Sequence, residues 1–303
     1  MKRRVLAIML VGAMAASMTA CGKSGTISGS AADKLGEEMN AVGEKIGEDL
    51  EAADEEIQEA LDEAIEEMDN SEILAIEEKG TFVVGITDFE PMDYKDADGN
   101  WIGFDADLAT AFAESLGVNV EFQEIDWDNK ILELDSGSVD CIWNGMTLTD
   151  EVMSSMECSD AYLNNAQVVV VKADVADKYQ DVESLKELSF AVESGSAGED
   201  MAVENELNYT PVSNQAAALM EIASGTADAA IIDSLMAAAM VGEGTSYADL
   251  TYTIGLNSEE YGVGFRKGSD LAAALNDFFK AAMEDGTMDK IAETYKVQAA
   301  LIK

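Results

Sequence analysis

Residues 118–147, VNVEFQEIDWDNKILELDSGSVDCIWNGMT, contain a complete strand–helix–strand unit. Apolar and polar residues alternate from 118 to 122, which predicts a strand with one buried face. Residues 131–134 then lie in a helix, and the apolar run 139–143 forms the next strand. Strands that alternate with helices in this way are typical of an α/β fold with mainly parallel sheets.

The same alternation continues on both sides of this unit. Further strands are predicted at Phe82–Ile86, Gln167–Lys172, Ser189–Glu193 and Ala229–Ile232, and helices at 108–116, 199–207 and 214–223. Asp105 is predicted to be the N-cap of the first of these helices. Two similar segments, Ser136–Asp140 and Ser224–Asp228, each end a helix and open an apolar strand. This repeat predicts two similar lobes with polar clusters at equivalent strand ends, where open α/β sheets bind ligands.

The N-terminus predicts secretion and a lipid anchor. Basic residues at 2–4 precede a short apolar run, and small residues then lead to Cys21, which is the pattern of a signal peptide over residues 1–20. The apolar run is too short to cross a bilayer. Met18-Thr19-Ala20-Cys21 resembles the bacterial lipobox, whose cysteine becomes lipidated, with Met in place of the usual first Leu. An ordinary signal peptide with a chance cysteine is the alternative.

Two segments of unusual composition separate Cys21 from the globular part. Residues 21–32 are rich in Gly, Ser and Ala, which predicts a flexible tether carrying the lipid. Residues 33–72 are dominated by Glu, Asp and Ala, and their apolar residues recur at helical spacing. The pattern predicts an acidic amphipathic helix or stalk, which either contacts a partner as a coiled coil or acts as a self-repelling spacer.

Charge and composition exclude several classes of function. Removing residues 1–20 takes away three of the 18 basic residues and none of the 61 acidic ones, which leaves a net charge near −46. Such a field repels nucleic acid and anionic lipid headgroups. The chain has no histidine, which disfavours triad hydrolysis and a zinc site. Secretion permits a disulfide between Cys141 and Cys158, but two small buried side chains are the favoured interpretation.

A set of short motifs occurs in a fixed order between residues 84 and 267. They are Val84-Gly85-Ile86, Pro91, Asp98-Gly99, Ile102–Leu108, Asp126-Trp127-Asp128, Asp140–Thr149, Ser159–Tyr162 and Gly262–Lys267. The ordered set resembles the polar amino-acid-binding proteins of ABC importers, a branch of the periplasmic-binding-protein superfamily. The resemblance covers roughly residues 73–297.

This resemblance implies a type II periplasmic-binding-protein fold, in which two lobes joined by two hinge crossings close around a ligand. The solute-binding domain would span residues 73–303, with crossings near Asn164–Gln167 and Gly255–Glu260. Lobe 1 would comprise residues 73–165 and 261–303, and lobe 2 would comprise residues 166–256.

The resemblance also assigns ligand-binding residues in lobe 1. Phe89 and Trp127 match the two aromatic walls that sandwich the ligand's side chain, and Asp88 belongs to the same site. Trp127 could instead anchor the helix that follows it. The segment after the strand 139–143 would offer backbone and hydroxyl groups to the ligand's head group, or it forms a generic turn. It consists of Asn144, Gly145, Met146 and Thr147.

In lobe 2, Gly195, Ser196 and Ala197 match the family's Gly-Ser/Thr-Thr loop. That loop opens a helix whose N-terminal N–H groups favour a carboxylate. Asp233 matches the acid that pairs with the ligand's ammonium group, and it could also be the N-cap of a helix over Ser234–Met240.

One position departs from the family's pattern. The arginine that clamps the ligand's α-carboxylate follows a Thr-x-Thr-x-Glu segment, but Thr147–Glu151 is followed here by Val152. Arg266, the only arginine after residue 4, lies in a distant strand motif. Lys130 is either a substitute or an ordinary surface lysine. The ligand is therefore an amino acid held by N–H groups alone or an amine that lacks the carboxylate.

These features predict an extracytoplasmic binding lipoprotein, anchored to the outer face of the cell membrane by Cys21. We expect a monomer that captures an amino acid or related small amine for the permease subunits of an ABC importer, with no catalytic residue, metal or cofactor. One alternative is an enzyme resembling cyclohexadienyl dehydratase, against which the missing arginine and histidine argue. Another is a non-transport surface binding protein, whose acidic helix docks a partner.

Overall fold

The computed structural model describes residues 41, 42, 45, 57, 58, 60, 61 and 71–303. The chain divides into two units, residues 1–69 and 70–303. The predicted signal peptide and tether lie outside the described residues, as does most of the predicted stalk. The seven described positions between 41 and 61 are all helical. No helix within the described residues is long and apolar enough to span a membrane.

The second unit opens with helix α1 (Glu72–Lys79), which Ser71 caps. Ser71 Oγ also donates to Asp270 Oδ2 at 2.5 Å, and Asp270 Oδ1 accepts from the N–H groups of Glu72 and Ile73. The side chain of Asp270 therefore fastens the start of α1 to a segment close to the C-terminus.

The elements that follow build a first lobe before the chain crosses to the second. They are β1 (Thr81–Ile86), β2 (Tyr94–Lys95), β3 (Trp101–Ile102), α2 (Phe104–Ser115), β4 (Asn119–Glu124), a 3₁₀ turn (Trp127–Asn129), α3 (Lys130–Asp135), β5 (Cys141–Thr147), α4 (Asp150–Ser155), β6 (Glu157–Cys158) and β7 (Leu163–Asn165).

The second lobe is continuous in sequence. It contains β8 (Gln167–Lys172), a 3₁₀ turn (Ala173–Lys178), α5 (Val182–Leu185), β9 (Ser189–Glu193), α6 (Ala197–Glu204), β10 (Asn208–Val212), α7 (Gln215–Ser224), β11 (Ala229–Asp233), α8 (Ser234–Met240) and β12 (Leu250–Gly255). The chain then returns to the first lobe through β13 (Glu259–Phe265), α9 (Leu271–Glu284) and α10 (Thr287–Tyr295).

Each lobe is built on its own mixed sheet. The strand order is β4-β1-β5-β13-β6 in lobe 1, with β7 paired to β13, and β10-β9-β11-β8-β12 in lobe 2. Three strands on one side of each sheet are parallel, whereas β13 in lobe 1 and β8 and β12 in lobe 2 run antiparallel to their neighbours. The sequence predicts mainly parallel sheets, and both sheets are instead mixed. The antiparallel strands lie next to the two crossings between the lobes. Antiparallel neighbours do not need the helical crossover that joins parallel strands.

Apolar packing explains why these segments adopt these elements. Phe112 of α2 meets the rings of Phe82, Trp143 and Phe278 edge to face, with centroids 5.5–6.4 Å apart. In lobe 2 the four valines at 168–171 are buried, as expected for a strand covered on both faces. Cys141 and Cys158 are free thiols, the first buried and the second half-buried.

The predicted N-cap role of Asp105 is wrong. Helix α2 begins at Phe104, with Gly103 at the N-cap position, so Asp105 lies inside the first turn. The buried Asp105 carboxylate instead accepts from Gly145 N–H at 2.7 Å and from Tyr162 Oη–H at 2.9 Å. Burial raises the pKa of Asp105 to about 7. Asp105 therefore fixes the end of β5, the strand that leads into the cavity described next.

Candidate ligand-binding site

A cavity of about 120 Å³ lies between the two lobes of the second unit. Its lining comes from the loop after β1, the start of α3 and the end of β5 on one side. The ends of β9 and β11 and the start of α6 line the other side. The volume has room for on the order of ten water-sized groups, which suits a compact ligand. The cavity is therefore at the carboxyl ends of parallel strands, where the sequence placed the site.

Nine of the ten predicted ligand-binding residues line this cavity. They are Phe89, Trp127, Asn144, Gly145, Met146, Thr147, Gly195, Ser196 and Asp233. Val152, at the position of the missing arginine, lines it as well. Asp88 does not. Its side chain is exposed and borders a separate surface depression together with Glu124 and Asp126.

The two aromatic side chains form a wall of the cavity while both are largely buried. Phe89 is 3% exposed and Trp127 is 7% exposed. Trp127 also packs in an apolar cluster with Ile142 and Val152, which fits the anchoring role, while its contact with the ligand remains a prediction. A Cβ on Gly145, whose φ is +54°, would lie 2.4 Å from Cε1 of Phe89. Gly145 is therefore required to let the Phe89 ring lie against β5.

Hydrogen bonds within the protein fix the polar segment at the end of β5. Asn144 Oδ1 accepts from both the N–H and the Oγ1–H of Thr87, and its Nδ2 donates to Asp93 at 2.7 Å. Thr147 Oγ1 donates to Glu259 at 3.0 Å. The Asn144 amide therefore holds the strand in place, while the ligand contacts predicted for this segment remain a prediction.

The two lobes meet at the loop before α6. Ser196 is the N-cap of α6, and its Oγ accepts from Glu199 N–H at 3.2 Å. Gly195 has a φ of +70°, and a Cβ there would lie 2.7 Å from the Cα of Asp128 in lobe 1. Lys130 of lobe 1 donates to the Gly195 carbonyl at 2.8 Å. Glycine is therefore needed at position 195 for this approach of the lobes.

Lys130 is a partly buried residue of the cavity and not a surface lysine. Its ammonium group lies 5.1 Å from the centroid of the Trp127 ring and also donates to the Trp127 carbonyl at 3.4 Å. Burial lowers the pKa of Lys130, although four nearby carboxylates oppose the shift. The ammonium group therefore has two protein acceptors and a third N–H with which to reach into the cavity.

Asp233 ends β11 as a buried carboxylate that does not cap the following helix. No cap hydrogen bond joins its side chain to the N-terminus of α8. The carboxylate instead accepts from the side-chain amides of Asn165, Gln167 and Gln215, with the Gln167 bond at 2.6 Å. Burial, together with the nearby Glu259, raises the pKa of Asp233 to about 8. Asp233 therefore occupies the predicted N-cap position of α8, but its side chain does not cap the helix.

Carboxylates dominate the charge of the cavity. Its lining contains Asp128, Glu151, Glu193, Asp200 and Asp233, against Lys130 as the one cation of that lining. Arg266 lies elsewhere: it pairs with Glu72 and donates to the carbonyls of Leu134 and Val139. The cavity therefore favours a cationic ligand over an anionic one.

Comparison with known proteins identifies the family. The family model "Bacterial extracellular solute-binding proteins, family 3" matches residues 82–298. The chain belongs to this family.

Named relatives of this solute-binding protein are binding proteins. The "Arginine-binding extracellular protein ArtP" of Bacillus subtilis is 33% identical, over 67% of this chain and 81% of its own. The "Probable histidine-binding protein" of Neisseria gonorrhoeae is 31% identical, over 70% of this chain and 81% of its own. A solved structure, the ancestral amino acid-binding protein AncCDT-1, is 36% identical with a TM-score of 0.68, over 74% of this chain and 99% of that one. AncCDT-1 is described as a precursor of cyclohexadienyl dehydratase.

Several side chains that line the solute-binding site were not predicted from the sequence, and three of them contribute to the buried acidic end of the cavity. Glu193, Gln167 and Gln215 line the cavity and lie at or near the ends of predicted elements. Burial and the neighbouring Asp233 raise the pKa of Glu193 to about 8. The one available signal was position, because Glu193 ends a predicted strand at the same sheet edge as Asp233.

Proposed function

We propose that this protein captures an amino acid or a related small amine of net positive charge and delivers it to an ABC importer. The observation that carries the proposal is Asp233, a buried carboxylate that faces the interlobe cavity. Among residues 71–303, no lysine or arginine nitrogen lies within 4.0 Å of it. The carboxylate accepts from three side-chain amides but has no positive charge beside it within the described residues, and a ligand ammonium group would supply that charge.

Other features of the cavity fit the same ligand. Phe89 and Trp127 supply flat apolar faces that stack on an alkyl chain or a cationic group. If the ligand carries an α-carboxylate, Lys130 is the cation available to it. Relatives named for binding arginine and histidine support a cationic amino acid as the ligand class.

The location proposed for this protein is the outer face of the cell membrane. The signal peptide and the lipobox-like Met18–Cys21 support cleavage before Cys21 and lipidation of that residue. Metabolic labelling with a fatty acid tests this part separately: wild type should be labelled and Cys21→Ser should not. An unlabelled wild-type protein would exclude the anchor while leaving ligand capture unaffected.

A dehydratase is the second candidate function. AncCDT-1 connects this fold to a dehydratase, and Glu193 and Asp233 have pKa values near neutrality that suit proton transfer. Incubation with a cyclohexadienyl substrate distinguishes the two functions. Capture alone predicts that no aromatic product forms, and catalytic turnover would favour the enzyme.

Thermal-shift screening tests the proposed function directly. Amino acids, polyamines and dipeptides are added separately to the purified protein, and the unfolding temperature is followed against concentration. A genuine ligand should stabilise the protein in proportion to the logarithm of its concentration. Cationic compounds should head the ranking. If no amino acid or amine in the set stabilises the protein, the proposal is wrong.

A further inference from the structure

Glu193 and Asp233 lie side by side at the same edge of the lobe 2 sheet. Strands β9 and β11 are parallel neighbours, with Phe190 opposite Ala229 and Ala191 opposite Ala230, so their last residues are close together. Both side chains line the cavity, and they are 4% and 3% exposed. The side-chain amide of Gln215 donates to the Asp233 carboxylate, and Gln215 also opposes the upward pKa shift of Glu193.

Hydrogen-bond acceptors outnumber donors around this pair. Among residues 71–303, Glu193 Oε1 and Gln167 Oε1 are buried without a hydrogen-bond partner. No lysine or arginine nitrogen in that part of the chain lies within 4.0 Å of Glu193. Lys130, the cation of the lining, donates to the Gly195 and Trp127 carbonyls instead. Buried polar atoms are rarely left without a partner, and an ionised carboxylate has no hydrogen of its own to donate, so a cationic molecule in the cavity would supply the donors that the ionised pair lacks.

We infer that Glu193 binds the ligand directly and that Glu193 and Asp233 together hold one cationic group of it. The inference rests on the proposed function and specifies its ligand class. An ammonium group carries three N–H donors and a guanidinium group carries five, enough to serve two carboxylates and the Gln167 carbonyl oxygen at once. A zwitterion of zero net charge leaves part of this negative charge unbalanced. The class is therefore an amino acid with a cationic side chain or an amine without a carboxylate.

Proton release provides a signature that a merely structural residue would not have. The charged groups that affect Glu193 are Asp233, Asp126 and Lys130, and Glu259 faces Asp233 on the other side. Burial raises the pKa of both acids to about 8, with Asp233 adding to the shift of Glu193 and Glu259 adding to the shift of Asp233, so both are largely protonated at pH 7. A cation bound between them favours their ionised forms. Binding at pH 7 should therefore release more than one proton.

The test is isothermal titration of the purified full chain with L-arginine, agmatine and L-citrulline. Arginine and agmatine share a guanidinium group, and citrulline replaces it with a neutral group of similar shape. Titrations in two buffers of different ionisation enthalpy give the number of protons released. In the wild type, arginine or agmatine should bind at least tenfold more tightly than citrulline, with release of more than one proton. Equal affinity for citrulline would overturn the ligand class.

Glu193→Gln keeps the shape and removes the charge. It should weaken binding of the tighter cationic probe at least tenfold and lower the released protons to one or fewer. Glu204→Gln is the matched control, because Glu204 is an exposed residue at the end of α6, and it should leave both quantities unchanged. If Glu193→Gln loses cooperative unfolding, Glu193→Met, which has a similar volume without a charge, replaces it.

The outcomes separate this inference from the proposed function. If the wild type binds a cationic probe and the Glu193→Gln protein matches it in affinity and proton release, Glu193 is not a ligand-binding residue and only the inference fails. If no amino acid or amine binds the wild type at all, the proposed function itself fails.

Discussion

Replacing Gly195 by alanine should weaken ligand binding by obstructing the approach of the two lobes. The new Cβ would lie 2.7 Å from Asp128 Cα and 2.8 Å from Asp128 Oδ1. The carboxylate oxygen can rotate away, but the Cα belongs to the backbone of the opposite lobe. Ordinary carbon–carbon contacts are about 3.5–4.0 Å, so the lobes must separate by roughly 1 Å. Overpacking of this kind costs about 1–3 kcal/mol, or about a 5- to 150-fold loss of affinity.

A second effect of the same substitution needs a control. Gly195 has a φ of +70°, and a left-handed conformation costs an alanine about 1–2 kcal/mol whether or not the lobes are closed. Gly137 has a φ of +77° and no atom within 4 Å of an added Cβ. Gly137→Ala should therefore lower the unfolding temperature by a similar amount without changing affinity.

The assay is isothermal titration of both variants with the best ligand from the thermal screen, combined with thermal unfolding. Gly195→Ala and Gly137→Ala should unfold at similar temperatures, and Gly195→Ala should bind the ligand at least fivefold more weakly than Gly137→Ala. It is refuted if Gly195→Ala binds as tightly as Gly137→Ala, because the interlobe contact would then have no part in binding.

Three further predictions follow from the cavity and the charge of the chain. Val152→Arg should maintain or raise affinity if the ligand carries an α-carboxylate and lower it if the ligand is a simple amine, as measured by calorimetry with arginine and agmatine. The pKa values of Glu193 and Asp233 are raised to about 8, so between pH 5 and pH 8 both acids keep protons in the folded protein that the unfolded chain has lost. The free energy of unfolding should therefore fall as the pH rises from about 5 to 8, by up to ~1.4 kcal/mol per pH unit for each group. Urea unfolding at both pH values checks the sign, and a rise would contradict it. Deleting residues 33–69 should change the ligand affinity measured by calorimetry by no more than about twofold, because every residue that lines the cavity lies between 89 and 233. A larger loss of affinity would mean that the predicted stalk takes part in binding.

The local sequence pattern was enough to predict the strands that are buried along their whole length. The valine run at 168–171 and the apolar run at 229–232 are buried along their whole length, and the predicted bounds of both strands agree with the structure to within one residue. The resemblance placed nine residues at the cavity because its motifs lie at or just after the ends of β1, β4, β5, β9 and β11. It also carried Asp88 into the site, although the following Phe89 is the residue that turns inward.

Features set by distant partners could not be predicted from the sequence. Asp105 has the sequence context of an N-cap, yet its carboxylate bonds to Gly145 N–H, forty residues along the chain. Glu193 has the sequence context of a polar strand end, and only the pairing of β9 with β11 buries it beside Asp233. Lys130 is partly buried, and its ammonium group donates to the Gly195 carbonyl of lobe 2. Each of these depends on contacts between segments that no local periodicity connects.

The most direct test of ligand capture at the interlobe cavity is a calorimetric comparison of the wild type and Asp233→Asn with the most stabilising compound of the screen. Removing one partner of a buried, hydrogen-bonded charge pair typically costs ~2–5 kcal/mol. The account therefore predicts at least a tenfold loss of affinity in a variant that still unfolds cooperatively. An unchanged affinity in a folded Asp233→Asn protein would contradict it, because the ligand's ammonium group would then bind elsewhere.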